Sequence, residues 1–432
     1  MLNTKIHYGW VIVGISVLLY LFGGTLNQAF GALINPLENK YGWNHSSILA
    51  AYAISAIFGA LLSPYVGMLN DKYGGRYLIL ISIIAFLIGS IITAISTEVW
   101  HIWIAFGIFM GITHACLNIS LITTISYWFD KKLGIAVGIV QASQGFGPGL
   151  TTLALTSALP IWGIQNTFWI LSIGGSACMF LLLILYKSTP QSIGKLPFGS
   201  EILTVPAAVE AKAKTNTLLE IALQKAHAKA VRTTPEFWKL VAVHHLGCVS
   251  HSVIMMQFIP IAITAGVSYS TAGQGAFLFF TISGITRFIT PAIAEKFGAR
   301  RTMIIMFLWQ ALPIFGLLWS TESWHFILFS IIWGFGYGGE GSAFAVINRQ
   351  YYGRGSFGRT YGWQILGAGL GMAVGGYIGG PLFDLTSSHV ITIYFAGGTS
   401  LIGAIILYSM SATKGSLIPD WDKDINLSAI AD

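Results

Sequence analysis

The chain has 432 residues, of which 54% are hydrophobic and only 9% charged, with a formal net charge of +7. A soluble domain carries about 25% charged residues, so a mean hydropathy of +0.71 marks a membrane protein before any motif is considered. Cys116, Cys178 and Cys248 lie in apolar runs without a CxxC or a zinc-type His spacing, which argues against a disulfide or metal framework and makes them packing residues.

Lys5 and His7 precede an apolar run that continues to about Leu33. That is too long for the core of a cleaved signal, so it is taken as the first spanning helix. Twelve stretches are long enough to cross a bilayer, near 8–34, 47–69, 77–96, 101–127, 133–157, 162–186, 238–265, 271–294, 302–320, 324–349, 359–382 and 390–412. The implied fold class is an all-α membrane protein of twelve transmembrane helices. Of the 23 lysines and arginines, Lys40 alone falls in a loop of one set and Arg287 alone lies inside a span. All others sit in the second set of loops or the tails. This bias places both termini in the cytoplasm, in a multi-pass inner-membrane protein, and turns the +7 into a topology signal rather than a nucleic-acid one.

The longest connection divides the chain into 1–187, a linker at 188–236, and 237–432. Within it, 216–232 has the pattern of a basic amphipathic helix on the inner leaflet, or equally of a plain tether. The two halves repeat. A shift of 224 residues carries Asp71-Lys72-Tyr73-Gly74-Gly75-Arg76 onto Glu295-Lys296-Phe297-Gly298-Ala299-Arg300, and Gly134, Gly138 and Gly145 onto Gly358, Gly362 and Gly369. One offset in two separate regions implies two pseudo-symmetric six-helix bundles with a site at the midplane between them.

The pattern Gly67-x-Leu69-x-Asp71-Lys72-x-Gly74-x-Arg76 resembles the cytoplasmic loop motif of the major facilitator superfamily, and with twelve spans and the repeat this resemblance covers the whole chain. It implies a conformational latch at Gly67, Asp71, Lys72 and Arg76. Three further features resemble the monocarboxylate transporters and the bacterial oxalate/formate antiporters. They are His7-Tyr8-Gly9-Trp10 in span one, Trp128-Phe129-Asp130-Lys131-Lys132-Leu133-Gly134 before span five, and the arginine of span eight. That resemblance implies Arg287 as partner of a substrate carboxylate. The chain departs from it at Ser283, Asn27 and Ala368, where relatives carry an aspartate and two lysines. One fixed cation instead of two favours a monoanion.

A central arginine costs roughly 2.5–3.5 kcal/mol on insertion scales, so Arg287 requires water, a carboxylate partner or an anionic cargo. Its planar fork suits two carboxylate oxygens. Glu340 is the one carboxylate well inside a span, and it is expected either to pair with Arg287 when the site is empty and release it on protonation, or to form a static Glu–Arg bridge between spans ten and eight. His114, His244, His245 and His251 lie in spans four and seven, with His251 and His114 the first choices for a proton relay. Asn27, Gln28, Asn118, Gln141, Gln144, Ser283, Tyr337 and Gln364 are polar groups at similar depth, of which Tyr337 and Asn118 lead as substrate contacts. Gly367-x-Gly369-x-Gly371 follows no strand, and no Gly-Lys-Ser/Thr occurs, so nucleotide binding and ATP drive are not indicated. Gly367, Gly371, Gly375 and Gly379 recur every four residues and share one helix face suited to close packing, and spans five and eleven, at corresponding repeat positions, are expected to form a sliding seam between the halves.

The expectation is a monomeric secondary transporter of small organic monocarboxylates coupled to H+, with no cofactor, no metal and no enzymatic activity. An exporter of a larger hydrophobic or zwitterionic compound, and a non-transporting sensor, are the alternatives.

Overall fold

The computed structural model describes residues 7–200, 223, 225–353, 357–413, 415–419 and 421; the side chains of Pro64, Asp71, Gly134 and 357–359 lie outside the described set. Nearly all described residues are helical, and twelve spans can be traced. Span one runs from Tyr8–Leu19 through a wider turn at Tyr20–Gly24, and after a break resumes at Phe30–Leu33 and Ile34–Tyr41. Spans two to four are His45–Tyr73, Gly75–Ala94 and Val99–Trp128. Spans five and six share one continuous run, Leu133–Ile170 extended by Leu171–Gly175 and Ser176–Leu185, broken at Gly163 (φ 68°, ψ 175°). Spans seven to nine are Pro235–Thr264, Tyr269–Phe297 and Ala299–Trp319. Span ten is Ser323–Ser342 with Phe344–Tyr352, and spans eleven and twelve are Phe357–Thr386 and Val390–Tyr408.

The internal repeat reappears as repeated local chemistry. Span four opens on a capping box in which Glu98 and His101 each satisfy the other's backbone, and span ten opens on the same box at Glu322 and His325, 224 residues on. Gly74 and Gly298, at the same offset, both turn the chain with positive φ, 81° and 93°, between a long helix and the next. Spans two and eight therefore run about a turn further than their apolar stretches suggest.

The halves meet along two seams, span two against span eleven and span five against span eight. Gly145 abuts the backbone of Gly284, Gly149 that of Phe277, and Gly273 the side chain of Thr156. On the other seam Gly369, Gly376 and Gly380 abut Ala60, Tyr52 and Ser46. Spans five and eleven thus both lie at the seams, while the four-residue glycine repeat is the close-packing face of span eleven toward its own half. Gly367, Gly371, Gly375 and Gly379 all press on span seven, at Val241, His245, Val249 and Gln257, inside the second half. A helix of glycines has more than one close-packed face, and spacing alone does not say which neighbour each face meets.

The connection between the halves is anchored at each end. The Phe198 amide donates to the Trp128 carbonyl at 2.7 Å, holding its start to the first half. Residues 225–233 are helical, with His227, Ala228 and Val231 buried against the second half and the His227 ring bonded to the Tyr352 carbonyl at 2.8 Å. This part of the expected amphipathic helix lies on protein rather than on a lipid surface; 216–222 and 224 fall outside the described residues.

Close packing at span eleven is directly testable. Gly375→Val would force a side chain into the Val249 carbonyl, and overpacking of this kind costs about 1–3 kcal/mol. A lower thermal unfolding temperature of the purified protein is expected, whereas Gly14→Ala, which meets nothing within 4 Å, should leave it unchanged or raise it.

Candidate functional site

Between the halves lies a cavity of about 650 Å³. The first half supplies Tyr20, Asn27 and Gln28 from the irregular stretch of span one, Tyr52 and Ser55 from span two, and His114, Asn118 and Gln144 from spans four and five. Non-helical backbone at membrane depth is tolerated where it lines such a cavity. The second half supplies His244, Cys248 and His251 from span seven, Arg287 from span eight, and Tyr337 and Glu340 from span ten.

Arg287 faces this cavity. Its Cζ lies 5.0 Å from the centroid of the Tyr337 ring, a cation–π distance. Tyr337 is itself fixed from below: Phe329, Trp333 and Tyr337 are four residues apart and stack in a column, with Trp333 4.9 Å from Tyr337 at 9°. The guanidinium Nε is buried and has no hydrogen-bond partner, and among the described residues no carboxylate oxygen lies within 4.0 Å of the group.

The expected Arg287–Glu340 pair is therefore not formed. Glu340, 1% exposed, pairs instead with His251, whose Nδ1 lies 3.0 Å from the carboxylate Oε2. Spans seven and ten are close enough for Gly247 to abut Glu340 Oε1, which has no hydrogen-bond partner. Cys248 joins this group, so the potential donor atoms of Cys248, His251 and Glu340 lie within 4.8 Å of one another. Cys248 and His251 are one turn apart on span seven, and Glu340 comes to them from span ten only in the fold. Arg287 lines the same cavity and repels a further cation there.

Other expected contacts divide clearly. Asn118 Oδ1 accepts from Gln144 Nε2 at 3.0 Å, Asn27 Nδ2 donates to Ser55 Oγ at 2.7 Å, and His114 Nδ1 lies 3.2 Å from the Gly24 carbonyl, all at the cavity wall. Ser283 is not there: its hydroxyl donates to the Phe280 carbonyl of its own helix, and its backbone is covered by Gly338. Gln364 is also internal, exchanging two hydrogen bonds with Asn348 at 2.8 and 2.9 Å. His245 bonds the Gly367 carbonyl at 2.9 Å, whereas His244 reaches the cavity and stacks on Phe344 at 4.0 Å. Tyr20 and Tyr52 were missed, although Tyr52, Ser55, Ala56, Gly59, Ala60 and Ser63 form a stripe of small and polar residues on one helix face. That stripe was the signal that could have found them.

The cavity is sealed at the end remote from the basic loops. There Tyr269 donates its hydroxyl to the Ala32 carbonyl, His45 Nε2 lies 3.0 Å from Gln257 Oε1, and Asp384 bonds the start of span two. Its lining reaches toward the basic end at Ser63, Pro291, Ala345 and Tyr361, and among the described residues no atom lies within 4 Å of where a Cβ on Gly67 would sit. The Lys72 ammonium lies 5.0 Å from the Tyr73 ring and the Arg76 amide donates to Ser188 Oγ at 2.9 Å, so these motif residues engage neighbours of their own half. The Asp71 side chain lies outside the described residues.

An unpaired guanidinium separates two outcomes of mutation. Removing one member of a buried ion pair costs about 3–5 kcal/mol. Arg287→Met, which strands no carboxylate, is instead expected to preserve or raise the thermal stability of the purified protein, as checked by thermal unfolding in detergent.

The model of the Major Facilitator Superfamily matches residues 13–274 and 246–423. Among curated relatives, MFS-type transporter 1 of Ophiocordyceps sp. is 28% identical over 43% of this chain and 41% of its own length. An uncharacterized MFS-type transporter of Bacillus subtilis, YcxA, is 22% identical over 93% of this chain and 96% of its own. Monocarboxylate transporter 14 of Mus musculus is 24% identical over 46% and 39%. The chain thus spans less than half the length of several curated relatives that it matches. The crystal structure of a D-xylose-proton symporter superposes with a TM-score of 0.67 at 15% identity, over 94% of this chain and 99% of that one. The double match to the family model, over two six-helix halves that enclose a central cavity, shows that the chain belongs to the major facilitator superfamily.

Proposed function

We propose that the protein carries small organic monocarboxylates across the membrane by alternating access, coupled to protons. The observation that carries this reading is the Arg287 guanidinium, lining the cavity, braced on Tyr337 and without a carboxylate partner among the described residues. Such a group is a ready hydrogen-bond donor to one carboxylate, and its planar fork rewards two oxygens at once. The partial likeness to a monocarboxylate transporter supports the same substrate class.

The Glu340–His251 pair supplies the proton site. An arriving anion adds one negative charge to a cavity of low dielectric, and one proton taken by the pair offsets it, so the loaded cavity keeps the charge of the empty one. Asn118, Asn27 and His114 face this group from the first half and offer hydrogen bonds to the cargo. The basic end, with Lys72, Arg76, Arg300 and Arg301, is assigned to the cytoplasm by the positive-inside bias, which makes the sealed end of the cavity the outer one.

The test is lactate and pyruvate transport in proteoliposomes. Arg287→Lys keeps the charge but loses the fork, and an affinity loss of about tenfold or more is expected from the charged hydrogen bond removed. Wild-type affinity in this variant would remove Arg287 from the site. Glu340→Gln should abolish uptake driven by an acid exterior while preserving exchange of labelled for unlabelled substrate. Unchanged pH dependence would take the pair out of the coupling.

A further inference from the structure

We propose that Asp384 is the latch of the outer face, and that its release from the start of span two is the step that exposes the cavity to the outside. The inference uses the orientation given above and the family's alternating access, and does not depend on which cargo is carried.

The first turn of any helix has amide groups with no partner inside the helix. In span two the flanking Asn44 makes no side-chain cap. The cap comes from the other half of the molecule. Asp384, near the end of span eleven, accepts from the His45 amide at 3.2 Å with Oδ1 and from the Ser46 amide at 2.9 Å with Oδ2, across 339 residues of chain. A carboxylate at a helix start also meets the positive end of the helix dipole, so this is a charge-assisted contact between two bodies that must separate.

Its neighbours make the contact depend on registry. Gly380, one turn before Asp384, abuts Ser46, so only a glycine lets the two helices come this close. His45 is held from both sides, with Nδ1 2.5 Å from Glu38 Oε1 of its own half and Nε2 3.0 Å from Gln257 Oε1 of the other. The Phe383 ring lies 5.0 Å from His45 and stacks on His389 at 4.5 Å, filling the gap beside the latch. Asp384 itself is exposed, so water can replace the two amides as they part. That suits a contact broken once per cycle. At the inner end the Gly67 stretch faces open space in the same conformation. One end is fastened while the other is free.

The experiment reads accessibility from each side. Gly59→Cys places a thiol in the cavity wall with its nearest neighbour 3.8 Å away, in full-length protein whose Cys116, Cys178 and Cys248 are replaced by alanine. A membrane-impermeant methanethiosulfonate is applied to right-side-out and to inside-out vesicles. With Asp384 intact, labelling is expected to be fast from inside and slow from outside. Asp384→Ala should raise the outside rate about fivefold or more and lower the inside rate, the signature of a shifted population. Asp384→Asn keeps the size of the side chain and one acceptor oxygen but loses the charge, and should act in the same direction, more weakly, even where Asp384→Ala fails to reach the membrane. Outside labelling unchanged in these variants overturns the proposal. So does a rise from both sides together, which would mean a loosened structure rather than a released latch.

Discussion

A guanidinium kept from lipid without a carboxylate beside it is the constraint around which the middle of this molecule is arranged. Such a charge persists only if water reaches it or an aromatic face shares its field. Both conditions are met by the open cavity and by the column of Phe329, Trp333 and Tyr337. Glu340 would be the natural counter-ion, and its engagement with His251 is what leaves Arg287 available. A half-occupied polar wall of this kind is a poor way to stabilise a helix bundle and a good way to recognise an anion.

The large-scale plan could be read from the chain because it rests on period and composition. The apolar runs, the one-sided lysines and arginines and the constant offset of 224 residues each specify architecture without knowledge of neighbours. The same offset also encoded the Glu98–His101 and Glu322–His325 caps, which hydropathy could not reveal. What failed were statements about partners. Whether Glu340 meets Arg287 or His251 depends on helix rotation, which apolar periodicity fixes loosely in an environment equally apolar all round. Ser283 and Gln364 were placed at the right depth but on the wrong side of their helices, for the same reason. Tyr20 and Tyr52 do not stand out in the sequence because an aromatic ring in an apolar run looks like packing until the fold brings it to the cavity lining.

The two seams hold the halves together around the cavity. Span five lies along span eight and span two along span eleven with glycine at the points of nearest approach, some of them filled by a side chain of the other half, Thr156 at Gly273 and Tyr52 at Gly376. Polar fastenings are gathered at one end, among His45, Gln257, Tyr269 and Asp384, and the apolar glycine contacts continue toward the middle.

Gly163 turns span five into span six with a single non-helical residue, and the other links at that end, 42–44, 95–98, 265–268, 320–322 and 387–389, are no longer than four residues each. Nothing among the described residues projects beyond the helix ends there. A protease or an antibody approaching from that direction would find little extended chain to grip among the described residues.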